Sequence, residues 1–125
     1  MTSLAKFIFI GLAVLQAVMA SASVARAETL TWQIRSEHPK VVSLEFYSQG
    51  RSVSWPGDGQ VYVIKDYDTH TYRLSCRPGE QICYGAWVRN RKRSYWGVGA
   101  NNRNRCRSCC YTCDGGETQV IVLNP

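Results

Sequence analysis

The sequence predicts an all-β fold: a small, disulfide-stapled β-sandwich of about seven or eight short strands, with a small barrel as the alternative closure. Three observations carry this expectation. After residue 27 the residues Val, Ile, Tyr, Trp and Thr recur and no convincing helix is visible, a composition that fits pleated, half-buried surfaces. Short apolar–polar alternations succeed one another at roughly ten-residue spacing, separated by turn residues. Finally, six cysteines stand behind what reads as an export signal, four of them inside the eight residues Cys106 to Cys113. A sandwich is preferred to a barrel because the strands read as sequential hairpins with one-sided apolar faces.

The strands are justified in chain order. Leu30, Trp32 and Ile34 alternate with Thr31, Gln33 and Arg35, as a half-buried strand must. Val42, Leu44 and Phe46 alternate with Ser43, Glu45 and Tyr47 in a second, reached through Ser36–Lys40. A short strand around Val53–Trp55 ends at the turn Pro56-Gly57-Asp58-Gly59. Val61–Ile64 and Thr69–Ser75 are expected to pair around Lys65–Asp68, and Ile82–Val88 with Ser94–Val98 around a tip at Asn90–Arg93. The cysteine-rich knuckle follows, flanked by Asn101–Asn104 and Asp114–Gly116, and Thr118–Leu123 closes the chain as a buried strand. Trp32, Trp55 and Trp87 are expected in the core, whereas Tyr95 and Trp96 lie beside a basic stretch.

The N-terminus sets the compartment. Lys6 precedes a nearly unbroken apolar run from Phe7 to Ala20, which suits a signal peptide and falls short of the ~20 residues a membrane span needs. Ala20-Ser21-Ala22 and Ala25-Arg26-Ala27 are candidate cleavage sites. Cleavage after Ala27 is preferred, because the first strand pattern starts at Glu28. Residues 1–27 are therefore read as a secretory signal peptide, and 28–125 as a single cysteine-rich domain. No cysteine lies near the cleavage site to carry a lipid. The product is expected to be exported, periplasmic or extracellular, with no transmembrane segment in the mature chain.

Compartment decides how the cysteines are read. In an oxidising compartment an even set of six implies disulfides, although sequence alone allows fifteen pairings. Neighbours Cys109 and Cys110 are poorly placed to bridge each other. Bridges from Cys76 and Cys83 into the knuckle close loops of about 30 residues, and each stabilises by roughly 2 kcal/mol more than a bridge inside the knuckle on the chain-entropy account. The expectation is that Cys76 and Cys83 each reach into the group Cys106, Cys109, Cys110 and Cys113, whose two remaining members pair together. The alternative is zinc held by four thiolates, since C-x2-C occurs twice, but the two units abut where zinc ribbons keep a long spacer. Thiol–disulfide exchange is a third reading, and it lacks the helix N-terminus in a βαβ setting that tunes such thiols.

Charge is uneven. From Glu28 onward there are 13 basic and nine acidic residues, a net +4. Seven cations fall between Arg89 and Arg107 with no acid among them: Arg89, Arg91, Lys92, Arg93, Arg103, Arg105 and Arg107. Six of the seven are arginine, which favours forked contacts with carboxylate or phosphate over diffuse charge. With Tyr95 and Trp96 they form the candidate ligand-binding set, against the plain alternative of hairpin tips kept soluble by charge. In an exported protein the fitting partners are anionic polysaccharide, a lipid head group or an acidic protein. Nucleic acid matches the charge but not the compartment.

Other chemistry is thin. Asp66, Asp68 and His70 would share one side of an extended segment and could hold a divalent cation, or they could cap a turn. His38 precedes a proline in a loop. Glu45, Glu80 and Asp58 are the carboxylates from which a glycosidase pair would have to come, and their spacing singles out none. No nucleophile motif accompanies either histidine. The sequence thus reads as a non-enzymatic, cofactor-free binding or interaction module, with a cysteine-ligated zinc protein as the alternative.

Overall fold

The computed structural model describes residues 13–18 and 27–125. The expected signal peptide, residues 1–27, lies largely outside the described residues. Nine strands build the domain: β1 (Glu28–Ser36), β2 (Val42–Ser48), β3 (Ser54–Trp55), β4 (Tyr62–Ile64), β5 (Thr69–Cys76), β6 (Gln81–Val88), β7 (Arg91–Gly97), β8 (Cys110–Thr112) and β9 (Glu117–Leu123). One 3-10 turn, Ala100–Asn102, precedes β8. The strands form two sheets packed as a sandwich, not a closed barrel, so the expected all-β class holds. Among the described residues no helix is long and apolar enough to cross a membrane.

The smaller sheet runs β5-β1-β9, with β1 antiparallel to β5 and parallel to β9. The larger runs β3-β2-β6-β7, and two short strands complete its edges. On one edge β4 lies beside Val42–Leu44 of β2 and β3 beside Phe46–Tyr47. On the other, β7 lies beside Gly85–Val88 of β6 and β8 beside Gln81–Cys83. Each outer position of this sheet is thus shared by two strands.

Sequential pairing fails in two places. Strands β1 and β2 stand in different sheets, and β4 and β5, expected as one hairpin, separate likewise onto β2 and β1. Alternation records that a strand has one apolar face. It does not record which neighbour the strand pairs with, and strands on opposite walls of a sandwich read identically. The β6–β7 hairpin does form, turning at Arg89-Asn90 with Asn90 in the left-handed region (φ 63°). Strand β9 is less buried than expected: as an edge strand it buries Thr118 and Leu123 and exposes Glu117, Gln119 and Val120.

The two walls meet around Trp32, which is fully buried. Phe46 packs 4.9 Å from it between ring centroids, and Tyr111 and Tyr84 meet it edge-on at 5.0 and 6.0 Å. Leu30, Ile34 and Leu74 from the small sheet face Val42, Leu44, Ile82 and Ala86 from the large one. Trp32 Nε1 finds no hydrogen-bond acceptor among the described residues, a cost of about 1–3 kcal/mol carried by the surrounding aromatic packing. Trp55 bridges the sheets differently, donating from Nε1 to the Ser75 carbonyl at 3.0 Å.

A second apolar cluster lies on the outer face of the large sheet. Tyr47, Cys83, Val98 and Cys109 are buried there, with Cys106 and Cys110 against them. What covers this face is the segment after β7, folded back over β6. The Tyr84 amide donates to the Cys109 carbonyl at 3.0 Å, and the Val98 amide to the Tyr84 carbonyl at 3.0 Å. The backbone comes so close that a Cβ on Gly85 would fall on the Gly99 carbonyl, and Gly99 itself holds φ 64°. Only glycine meets both demands. Gly85→Ala is therefore expected to destabilise the domain by about 2–3 kcal/mol in urea denaturation, because backbone rather than a yielding side chain blocks the new methyl.

Candidate functional site

The cysteines pair as expected in outline, and the fold assigns each partner: Cys76–Cys113, Cys83–Cys110 and Cys106–Cys109. Cys76 ends β5 in the small sheet, while Cys113 follows β8 in the large one, so this bridge ties the two walls together across 6.2 Å between Cα atoms. Cys83 and Cys110 face each other across β6 and β8, with Cα atoms 4.0 Å apart. Cys106–Cys109 closes the knuckle itself. No cysteine is left unpaired among the described residues.

All seven cations of the basic stretch are exposed, and none enters a salt bridge among the described residues. The structure divides them. Arg89, Arg91, Lys92 and Arg93 sit at and after the β6–β7 turn, on the free edge strand of the large sheet. Arg103, Arg105 and Arg107 sit on the folded-back segment near Cys83, five residues and ~17 Å along β6 from Val88. Charge on an edge strand has its own explanation, since it discourages pairing with another chain. The three loop arginines have no such duty.

Tyr95 and Trp96 occupy opposite faces of β7, so they do not form one stacking platform. Tyr95 opposes Trp87 on the outer face and remains 45% exposed. Trp96 opposes Ala86 on the core side, donates from Nε1 to the Asn124 carbonyl at 3.0 Å, and meets the His38 ring edge-on at 5.5 Å. Trp87 is buried as expected, but on the outer face.

Two concavities flank the 3-10 turn. One, about 430 Å³, is lined by Arg103, Arg105, Arg107, Asn104 and the Cys83–Cys110 region. The other, about 600 Å³, is lined by Glu45, Tyr47, Arg51 and Asn101. Gln49 and Asn102 line both, and their amides bond each other reciprocally at 3.3 and 3.4 Å. Asn101 and Asn102 both adopt positive φ, 59° and 56°, which asparagine tolerates better than most residues. The Asn101 amide is held by the Tyr47 hydroxyl at 3.0 Å. Burial, followed by the nearby Glu45 charge, pushes the Tyr47 phenol up to about 12, and burial raises the Glu45 carboxyl. Sequence reasoning missed Gln49 and used Asn101–Asn104 only as a flank. The consecutive asparagines were the available signal for a left-handed turn.

The remaining candidates are structural. Asp66 Oδ1 accepts from the Asp68 amide at 3.1 Å and meets His70 Nε2 at 2.6 Å, which is a capped turn between β4 and β5. Among the described residues no three His, Cys, Asp or Glu side chains are grouped as a metal site. His38 Nδ1 accepts from the Lys40 amide. Asp58 sits in the β3–β4 turn at φ 54°. Glu80 is a hub: Arg51 grips it through two nitrogens at 2.6 and 2.7 Å, Ser48 donates to it, and so does the Arg77 amide at 3.1 Å. Such a carboxylate has no free acid–base role.

No family model matches the chain, and neither a curated protein nor a solved structure matches it either.

The Glu80 hub gives a pH dependence. Arg51's hydrogen bonds, helped by those of Ser48 and Arg77, lower its pKa from 4.5 to about 2. A depressed carboxyl stabilises the fold fully above the unfolded value near 4.5 and loses that contribution as the pH falls toward 2. Glu80→Gln is expected to cost about 2–3 kcal/mol at neutral pH and to flatten the acid limb of the stability profile. Urea midpoints measured across that pH range check both.

Proposed function

We propose that this chain is a small exported binding module of the cell envelope or periplasm, which contacts anionic polymers through its cationic surface. The observation that supports it is the set of seven exposed, unpaired cations on two elements projecting from a rigid, disulfide-braced sheet. Outside the stretch Arg51 is paired with Glu80 and Arg35 with Glu37. Lys40, Lys65, Arg73 and Arg77 are unpaired among the described residues but stand singly along the chain, so it is clustering that marks the seven. Leaving seven unpaired costs little for folding and keeps their hydrogen-bonding forks free for an anion. The disulfides and the secretory pattern of residues 1–27 support export, which argues against nucleic acid as the partner. Pairing of all six cysteines favours this reading over a cysteine-ligated zinc site, which needs the same sulfurs as thiolates.

Retention on immobilised heparin and on anionic lipid, in rising salt, tests the proposal. Binding is expected at low salt and should fall as salt screens the cations. Replacing Arg91, Lys92 and Arg93 by Gln should weaken it without unfolding the domain. Absence of retention at low salt would overturn the reading.

A further inference from the structure

The loop arginines do more than add charge, because the fold sets them beside a band of amides. Arg103, Arg105 and Arg107 line one concavity, and the reciprocal Gln49–Asn102 pair forms the ridge that separates it from the next. Both volumes, about 430 and 600 Å³, lie in the ~300–1,000 Å³ range of sites that hold a small ligand. The two sides of the ridge differ in sign. Three guanidinium groups stand on one side, whereas the other presents the Glu45 carboxylate, the Asn101 amide and Arg51, whose charge is already taken by Glu80.

We infer that this double concavity is a binding groove for an acidic saccharide, laid across the Gln49–Asn102 ridge with its anionic group over Arg103, Arg105 and Arg107. The inference rests on the anion-binding reading above and names its ligand class. Chemistry favours a sugar over the other anionic polymers. Gln49 spends both its N–H groups on Asn102 Oδ1 and the Tyr47 carbonyl, which leaves the ridge one Asn102 N–H and a second lone pair on each amide oxygen to meet sugar hydroxyls. An arginine fork matches a carboxylate or sulfate. A membrane-docking surface would carry exposed apolar side chains to enter the bilayer, and an acidic-protein interface would carry a buried aromatic anchor. The arginine side carries neither, since no aromatic and no large exposed apolar residue lines it. The other side has only the exposed Val53 and Tyr47, whose hydroxyl is engaged by the Asn101 amide. The glycine-enforced contact at Gly85 and the Cys83–Cys110 bridge hold the groove's floor in place before any ligand arrives, which lowers the ordering cost of binding.

Calorimetric titration of the full oxidised chain with a galacturonate tetramer tests this, with maltotetraose, polyglutamate and phosphatidylglycerol vesicles as comparisons. The tetramer is expected to bind at low salt at least about tenfold more tightly than maltotetraose. Arg103→Gln/Arg105→Gln/Arg107→Gln should weaken the tetramer about tenfold or more, and Gln49→Ala, which leaves the charge unchanged, about threefold. The tip variant Arg91→Gln/Lys92→Gln/Arg93→Gln removes the same charge ~17 Å away along β6, so it should weaken the tetramer less than the loop variant does, by no more than about threefold. If the triple loop variant loses its near-ultraviolet circular dichroism, Arg105→Gln and Gln49→Ala carry the same test singly. Equal loss from tip and loop variants, with Gln49→Ala silent, would overturn the groove and leave general anion binding standing. Tighter binding to polyglutamate or vesicles than to the tetramer would overturn the saccharide assignment. Failure of every anionic probe would overturn both readings together.

Discussion

Everything distinctive about this molecule depends on one constraint: the segment from Gly97 to Cys110 is fastened flat against the outer face of the larger sheet. That segment has little regular structure and a run of positive φ angles at Gly97, Gly99, Asn101 and Asn102. Left alone, such a chain would be costly to order, at roughly 1–2 kcal/mol per residue of backbone. Three devices offset that cost. The Cys83–Cys110 bridge closes a 27-residue separation, worth about 3.5 kcal/mol on the chain-entropy account. A small apolar cluster of Tyr47, Cys83, Val98 and Cys109 forms beneath it. The missing Cβ at Gly85 lets backbone lie on backbone. The result is a small sandwich with two apolar clusters, one between the sheets and one outside them.

That arrangement explains where the charge sits. The outer face of a sandwich ordinarily meets water with polar side chains on the strands. Here the strand positions on that face are spent on packing, at Tyr47, Cys83, Gly85 and Trp87, so the polar surface is carried by the covering loop instead. Exposed Arg103, Arg105 and Arg107 alternate with half-buried Asn104 and Cys106, which keeps the disulfide inward and the guanidinium groups outward. On the opposite rim, Arg51 and Glu80 join the β2–β3 loop to the β5–β6 turn. Cations are used in two ways in one small domain, as a half-buried clasp and as an unpaired array.

Much of the fold was legible in the sequence because alternation marks strands directly. Leu30-Trp32-Ile34 and Val42-Leu44-Phe46 are the two halves of the core, as their period indicates. The pairing class of the cysteines was legible as well, because loop entropy sends Cys76 and Cys83 into the knuckle, but their individual partners there were not. Which strand joins which sheet was not legible, since β1 and β2 carry the same pattern on opposite walls. Nor was the division of the basic stretch, because that depends on the chain doubling back over β6 after Gly97. The ridge at Gln49 and Asn102 joins residues 53 positions apart, and no local pattern could announce it.

Hydrogen exchange on the Cys83→Ser/Cys110→Ser variant, compared with the native oxidised chain, tests the central constraint most directly. If the bridge is what fastens the loop, amides from Val98 to Tyr111 lose their protection, while those of Trp32, Leu44 and Ala86 in the core strands keep theirs. Unchanged protection across the loop would contradict the account, and so would a uniform loss across both sheets.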